Sequence, residues 1–355
     1  MLIYFFTWLY FTFCSIIEIK FKKDPKFNNI IKILLIVAVS GLILQIGLRW
    51  DMATDWEPYK LFFTLQSYEE FFSSELKFEI GYVYLNRISL LISEDYSLFL
   101  IIHAAIFFIL LTLGLKKYTI YPTLALFIYI SIFYGMTGSN RQLLAVCIGF
   151  YGTTFLLKNN WKKFLLCVFI AFLFHNSALL LLIYLLLNRE FKRYQIIVFL
   201  IVCFIIGSTN LPTILFSYTA GLNELAAEKV DLYDNSSADE IKGSVIGLIK
   251  RFFLVTIFLY VKPLLEKKII NSAIVLNGFM ISIGFFFLFK SVSIVGGRGL
   301  LYFNIMEPLL MVYLLQLVPK NLRFSLLLLY SIICILYFFQ SFNIYPELFI
   351  PYKSI

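Results

Sequence analysis

Charge is what this sequence has least of. Acidic and basic side chains make up 14% of its 355 residues and hydrophobic ones 61%, where a soluble domain carries about 25% charged and roughly 45 to 50% apolar residues. With a mean hydropathy of +0.88, that shortage excludes a soluble globular protein and predicts an all-α, polytopic membrane protein forming a single membrane domain over residues 1–355. Cysteine is also sparse: Cys14, Cys147, Cys167, Cys203 and Cys334 sit singly in apolar runs without metal-ligand spacing, so they read as small core residues. The first 17 residues lack the basic start of a signal peptide, and Lys20, Lys22, Lys23 and Lys26 follow the apolar run instead. That order predicts an uncleaved helix with its N-terminus outside.

What is abundant is aromatic and aliphatic. Forty Phe and 23 Tyr add bulky lipid-facing and interfacial surface. Ten apolar runs can span a bilayer: near 2–17, 29–48, 97–115, 119–135, 141–157, 194–214, 244–262, 269–290, 299–318 and 323–341, since a crossing takes roughly 20 residues. Two pieces do not fit. Residues 79–93 are short and interrupted by Asn86 and Arg87, and residues 161–187 hold His175-Asn176-Ser177 at their centre.

Charge decides the second piece. A single crossing by 161–187 would put the basic segment 188–193 outside and the acidic stretch 221–240 inside, inverting the positive-inside pattern. A broken re-entrant hairpin turning at His175 keeps it. Inner loops then carry 18 of the 30 Lys/Arg and 4 of the 21 Asp/Glu, leaving 12 and 17 for the outer side.

On that topology the ionisable residues that interrupt or end apolar runs gather on the outer side: Arg49, Asp51, Asp55, Arg141, His175, Lys290 and Arg298. Any one of them can be a snorkelling charge; as a set they point to a shared cationic site, because such groups are costly in a bilayer unless they face a cavity, partner or ligand. His103, within the third span, reads as a packed core residue. The outer loop 49–96 mixes acidic and aromatic residues around a short extracytoplasmic helix, a composition suited to sugars. The outer loop 207–243 is polar and reads as a connector or a lid.

The sequence resembles the EpsG-like, Wzy-type polysaccharide polymerases in an ordered series of motifs. Gly47-Leu48-Arg49-Trp50 with Thr54-Asp55-Trp56 and Tyr59 is similar to their Gly-x-Arg and Gly-x-Asp-Tyr-x-x-Tyr signature. Phe78-Glu79-Ile80-Gly81-Tyr82 with Leu85-Asn86 resembles their Glu-Pro-Gly-Tyr motif, and Asn140-Arg141-Gln142 with Ala145 their Arg-Gln motif. Phe174-His175-Asn176-Ser177-Ala178 resembles their His-x-Ser-Ala motif, and Arg298 with Tyr302-Phe303 their late Arg and Tyr-Phe pattern. Ile80 stands where the family usually has Pro, and Thr54 where Gly is common; neither change removes a charge.

The resemblance implies a GT-C-like glycosyltransferase of the bacterial cytoplasmic membrane, with its active site facing the periplasm or cell exterior. Its reaction joins undecaprenyl-diphosphate-linked oligosaccharide repeat units, with membrane lipid around it and a chain-length-regulating copolymerase as partner. No cofactor, metal or nucleic acid is expected. Catalytic candidates are Asp55, His175 and Glu79, one of which takes the acceptor hydroxyl's proton. Arg49, Arg141, Arg298 and Lys290 would bind the diphosphate, since arginine offers paired donors and keeps its charge when desolvated. Trp56, Tyr59, Tyr82, Gln142 and Tyr302 would contact glycan. A lipid-linked oligosaccharide flippase and an O-antigen ligase stay open as alternatives; only the motif series favours the polymerase.

Overall fold

The structure is a computed structural model and describes residues 1–66, 78–215, 239–344 and 346–355. Among the described residues there is no strand, only an isolated antiparallel bridge between Arg49 and Ser354. Of the acidic loop 207–243, residues 216–238 lie outside the described residues, as do 67–77, with Glu69 and Glu70, of the loop 49–96.

The chain packs as two units, residues Met1–Leu185 with Met311–Ile355, and Leu186–Leu310. In the first, α1 (Leu2–Phe21), α2 (Asn28–Gly47), α5 (Tyr96–Tyr118), α6 (Pro122–Phe133), α7 (Asn140–Leu156), α8 (Trp161–Phe172) and α14 (Lys320–Ile344) carry the core. Helix α1 packs on α2, α6 and α14; α5 packs on α2 and α7, and α8 on α7. The short helices α3 (Trp56–Gln66) and α4 (Ile80–Leu90) pack on the start of α5. The loop 49–96 therefore holds two short helices where one is expected from the sequence. The second unit contains α9 (Arg193–Gly207), α10 (Asp239–Lys268), α11 (Ser272–Leu288) and α12 (Ser293–Asn304); α13 (Glu307–Leu317) begins there and ends in the first unit, and α15 (Pro346–Phe349) follows α14.

Five segments among the described residues are long and apolar enough to cross a membrane: Leu2–Phe21, Pro25–Gly47, Tyr96–Tyr118, Gly297–Leu317 and Lys320–Gln340. Several of the ten expected runs make shorter helices, because an apolar run measures hydropathy and not where the backbone breaks. Helix α6 tightens into a 3-10 turn at Tyr134–Met136, and α11 starts only after Asn271, which is left-handed at φ 65°. The run 299–318 is interrupted between Asn304 and Glu307.

Residues 161–187 form the expected hairpin. Helix α8 runs antiparallel to α7, with Cys167 and Phe164 against Gly152, and the chain turns at 173–175. It then descends α7 again as a 3-10 helix, Asn176–Leu186, with Leu181 against Gly149. At about 2.0 Å per residue a 3-10 helix reaches further than an α-helix of equal length, so 11 residues extend over roughly 22 Å. Its buried Tyr184 sits beside Tyr118, whose hydroxyl bonds Thr153 Oγ1 at 2.8 Å.

These contacts give the first unit two distinct ends. One gathers the end of α1, the start of α6, the end of α5 and the start of α14; Tyr313 and Gln316 bond Tyr118 O and Thr119 Oγ1 there. Glu18, fully buried, accepts the Thr123 N–H, the Thr123 hydroxyl and the Leu124 N–H at 3.1, 2.8 and 3.1 Å. It satisfies the first turn of α6, whose amides carry the positive end of the helix dipole. The other end gathers Arg49, Glu79, Arg141 and His175.

The candidate functional site

Four sequence-distant segments meet at that second end. The chain leaves α2 at Gly47 and is pinned by the C-terminal segment: Trp50 N–H bonds Lys353 O at 3.1 Å, and Ala53 N–H bonds Leu348 O at 3.1 Å. Gly138, just before α7, approaches so closely that a Cβ there would lie 3.0 Å from both the N and Oγ1 of Thr54. Gly81, on the first turn of α4, donates its N–H to Leu173 O at 2.7 Å, and a Cβ would sit 2.8 Å from that oxygen. The glycine of the Glu79-Ile80-Gly81-Tyr82 segment is thus where α4 touches the hairpin tip backbone to backbone.

These approaches set the charges. Arg141, at the start of α7, pairs with Glu79 at 2.5 Å; their side chains are 20% and 13% exposed. The same guanidinium donates Nε–H to the Tyr59 hydroxyl at 3.2 Å and lies 4.1 Å from the centroid of the Phe78 ring. The second Glu79 oxygen accepts the Asn176 N–H at 3.4 Å. Helix α7, α4 and the hairpin tip therefore share one carboxylate.

Arg49 is 3% exposed and donates to Ile46 O at 2.6 Å and to Asn140 Oδ1 at 2.9 Å. No carboxylate reaches it among the described residues, and its Nε–H makes no hydrogen bond. Burial lowers its pKa from the ordinary arginine value, yet a guanidinium stays charged when desolvated. Around it, Asn140 Nδ2, the hydroxyls of Tyr82 and Tyr96, and the Trp56 indole N–H are buried without a hydrogen-bond partner. Tyr82 and Tyr96 face Asn140 without meeting hydrogen-bond geometry with it. Asn86 Oδ1, beside Tyr82, is buried without a partner too, and buried polar groups of this kind are costly until a partner meets them.

The three base candidates differ. His175 is half-buried at the hairpin tip, where its Nδ1 faces the Ser177 N–H at 3.3 Å and the Ser177 hydroxyl at 2.7 Å. A backbone N–H can only donate, so Nδ1 accepts and the neutral ring carries its proton on Nε2. Glu79 is engaged by Arg141. Asp55 is half-buried immediately before α3. Asp51 is exposed at φ 49° and pairs with Lys353 at 3.2 Å.

The residues expected to contact glycan are buried. Trp56, Tyr59 and Tyr82 are 7%, 6% and 0% exposed, and with Phe62, Phe63 and Phe99 they form the core between α3, α4 and α5. Gln142 and Tyr302 are buried as well. Rather than presenting flat faces to a glycan, the rings pack on one another, Tyr59 on Tyr82 at 5.4 Å and Tyr82 edge-on to Phe99 at 5.6 Å. Burying large aromatic surface is worth more than leaving it open. His103 is 2% exposed and its Nε2 bonds Asn140 O at 2.9 Å. Lys290 and Arg298 are exposed and belong to the second unit, Arg298 on α12.

Two residues of the motifs have no role assigned from the sequence. Asn140 holds Arg49 with its side chain and His103 with its carbonyl, and Phe78 covers the face of Arg141. Their place in the motifs is the one signal for them. Among the described residues no three His, Cys, Asp or Glu side chains converge, and four of the five cysteines are buried, none in a disulfide.

No curated protein and no solved structure matches the chain. The model of the EpsG family matches residues 32–354, from within α2 to the C-terminal segment that pins Arg49. That span takes in every residue of the site just described, and an EpsG assignment is consistent with a polysaccharide polymerase type of function. By this match over nearly its whole length, the chain belongs to the EpsG family.

Proposed function

We propose that the protein is a polysaccharide polymerase acting on undecaprenyl-diphosphate-linked oligosaccharide repeat units at the outer face of the bacterial cytoplasmic membrane. The observation that carries this reading is Arg49: a buried guanidinium that meets no carboxylate among the described residues, near buried polar groups without partners, suits a multiply charged acceptor such as a diphosphate. Arg141 stands at the same end and could exchange Glu79 for a phosphate oxygen. The orientation rests on charge. One end of the first unit carries Lys20, Lys23, Lys116, Lys117, Lys162 and Lys320, and the other carries Asp51, Asp55, Glu57, Glu79, Glu94 and Asp95, the asymmetry expected when the first end is cytoplasmic.

In the reaction, an acceptor sugar hydroxyl attacks the anomeric carbon of the donor. A new glycosidic C–O bond forms as the anomeric carbon's bond to the diphosphate breaks, and the bonding pair leaves with undecaprenyl diphosphate. Asp55, half-buried immediately before α3, is our leading base, ahead of His175 and Glu79 at the same end of the unit. The arginines offset charge on the departing diphosphate. Such a single displacement inverts the anomeric centre and needs no metal in this scheme. Arg298 and Lys290 belong to the second unit, and their part in binding the diphosphate is an expectation from the sequence alone; a copolymerase that sets chain length is the expected partner.

The test is reconstitution. Purified enzyme given only undecaprenyl-diphosphate-linked repeat units should build a ladder of longer glycans without nucleotide sugar or ATP, and Asp55→Asn should stop it with binding retained. A ladder that requires nucleotide sugar would sink the reading. Transfer only onto a different lipid acceptor would favour a ligase, and transbilayer movement without any ladder a flippase.

A further inference from the structure

The end of the first unit opposite Arg49 holds a cavity of about 560 Å³ between α1 and α14. Four cations line it: Lys20 in the last turn of α1, Lys23 just after it, and Lys320 and Arg323 at the start of α14. No Asp or Glu is among its lining residues. The nearest carboxylates in sequence are already committed, Glu18 to the first turn of α6 and Asp24 to the Lys26 N–H at 3.0 Å. Arg323 is held in place by uncharged acceptors, Nε–H to Val318 O at 3.0 Å, an Nη2 hydrogen to Gln316 O at 2.9 Å and an Nη1 hydrogen to the Tyr121 hydroxyl at 3.5 Å. Its charge is therefore positioned and not neutralised.

Below the charges the wall turns apolar. Ile16 and Ile19 come from α1, and Phe324 and Leu327 from α14, both within segments apolar enough to cross a membrane. Phe324 is 53% exposed. Cations above an apolar wall, opening at the end of two spanning helices, match one class of molecule: an anionic head joined to a hydrocarbon tail. A soluble anion would leave the apolar wall uncovered, and an uncharged lipid would leave four cations without a partner.

We infer that this cavity is a binding site for an anionic glycerophospholipid of the leaflet at the basic end, separate from the site at Arg49. The lipid phosphate lies among Lys20, Lys23, Lys320 and Arg323, and its first acyl carbons run along Ile19 and Leu327. The inference stands apart from the polymerase reading and holds or fails without it.

The test uses full-length protein in nanodiscs and in detergent. Native mass spectrometry should find phosphatidylglycerol retained on the wild type, and phosphatidylglycerol should raise the thermal midpoint where phosphatidylcholine does not. At about fivefold per cation near a membrane surface, Lys20→Gln with Lys320→Gln should weaken retention roughly thirtyfold. Both lysines are exposed and the Arg323 contacts are left intact; Lys23→Gln with Lys320→Gln replaces that pair should it fail to fold. Lys162→Gln with Lys163→Gln, on the same end but outside the cavity, should retain lipid as the wild type does. Equal retention of phosphatidylcholine, or undiminished phosphatidylglycerol on the cavity variant, overturns the inference. Inorganic phosphate alone reproducing the full stabilisation would assign the cavity to a free anion and overturn it too.

Discussion

Arg141 and Glu79, 62 residues apart in sequence, form an ion pair at 2.5 Å, while the other Glu79 oxygen accepts the N–H of Asn176 on the hairpin. One carboxylate thus ties two helices and a turn into a single end of the first unit. Partly buried, charge-assisted pairs of this kind couple measurably, by about 0.5 to 3 kcal/mol in double-mutant cycles. Glu79→Gln and Arg141→Lys, alone and together, are expected to be non-additive in thermal unfolding by about 1 to 3 kcal/mol. Strictly additive losses would show that the pair is incidental. Polymer should disappear in Arg141→Ala and return poorly in Arg141→Lys, since a point charge replaces a planar fork.

Arg49 separates a functional charge from a structural one. Removing it leaves Ile46 O and Asn140 Oδ1 without their donor, which costs about 1 to 3 kcal/mol for a buried group. Arg49→Met is therefore expected to lose stability in that range together with polymer, and Arg49→Lys, which keeps a charged donor, to recover stability better than polymer because a point charge replaces a planar fork. Polymer at the wild-type level in Arg49→Met would make Arg49 a structural residue.

Gly81→Ala adds a Cβ 2.8 Å from Leu173 O and 3.0 Å from its carbonyl carbon. Neither backbone can yield without moving α4 from the hairpin tip, and forced overpacking costs about 1 to 3 kcal/mol. The variant should be destabilised in that range and make little polymer. Full polymer at wild-type stability would mean that α4 and the tip move freely past each other.

The hairpin places Asn176 and Lys162 at opposite ends of α8, and both are exposed. In a background without the five native cysteines, Asn176→Cys should react with an impermeant thiol reagent in intact cells, and Lys162→Cys only after the membrane is breached. The reverse pattern would invert the orientation.

Much of the fold was legible because hydropathy and charge are local sums. The shortage of charge excluded a soluble protein, and the excess of Lys/Arg in alternate loops required residues 161–187 to turn back, as they do around 173–175. Helix lengths were less legible. A left-handed Asn271 or a break near Ile305 changes no hydropathy total, yet it ends a helix. At the site, Arg49, Arg141 and His175 were visible as ionisable residues that interrupt or end apolar runs, and Glu79 through its resemblance to a motif. That the tyrosines and Trp56 pack into a core was not legible, because an aromatic ring near a carboxylate looks the same in sequence whether it faces water or another ring.

By itself the sequence determined that this is a membrane protein, which ends of its helices are basic, and which ionisable residues interrupt its apolar runs. Those conclusions need only composition and order along the chain. Tertiary structure alone decided that Glu79 meets Arg141 while Arg49 meets no carboxylate, that Gly81 and Gly138 are points of closest approach, and that four cations surround one cavity at the basic end. The reason is physical: which charge finds which partner depends on side-chain packing between segments tens to hundreds of residues apart, and hydropathy carries no record of those distances.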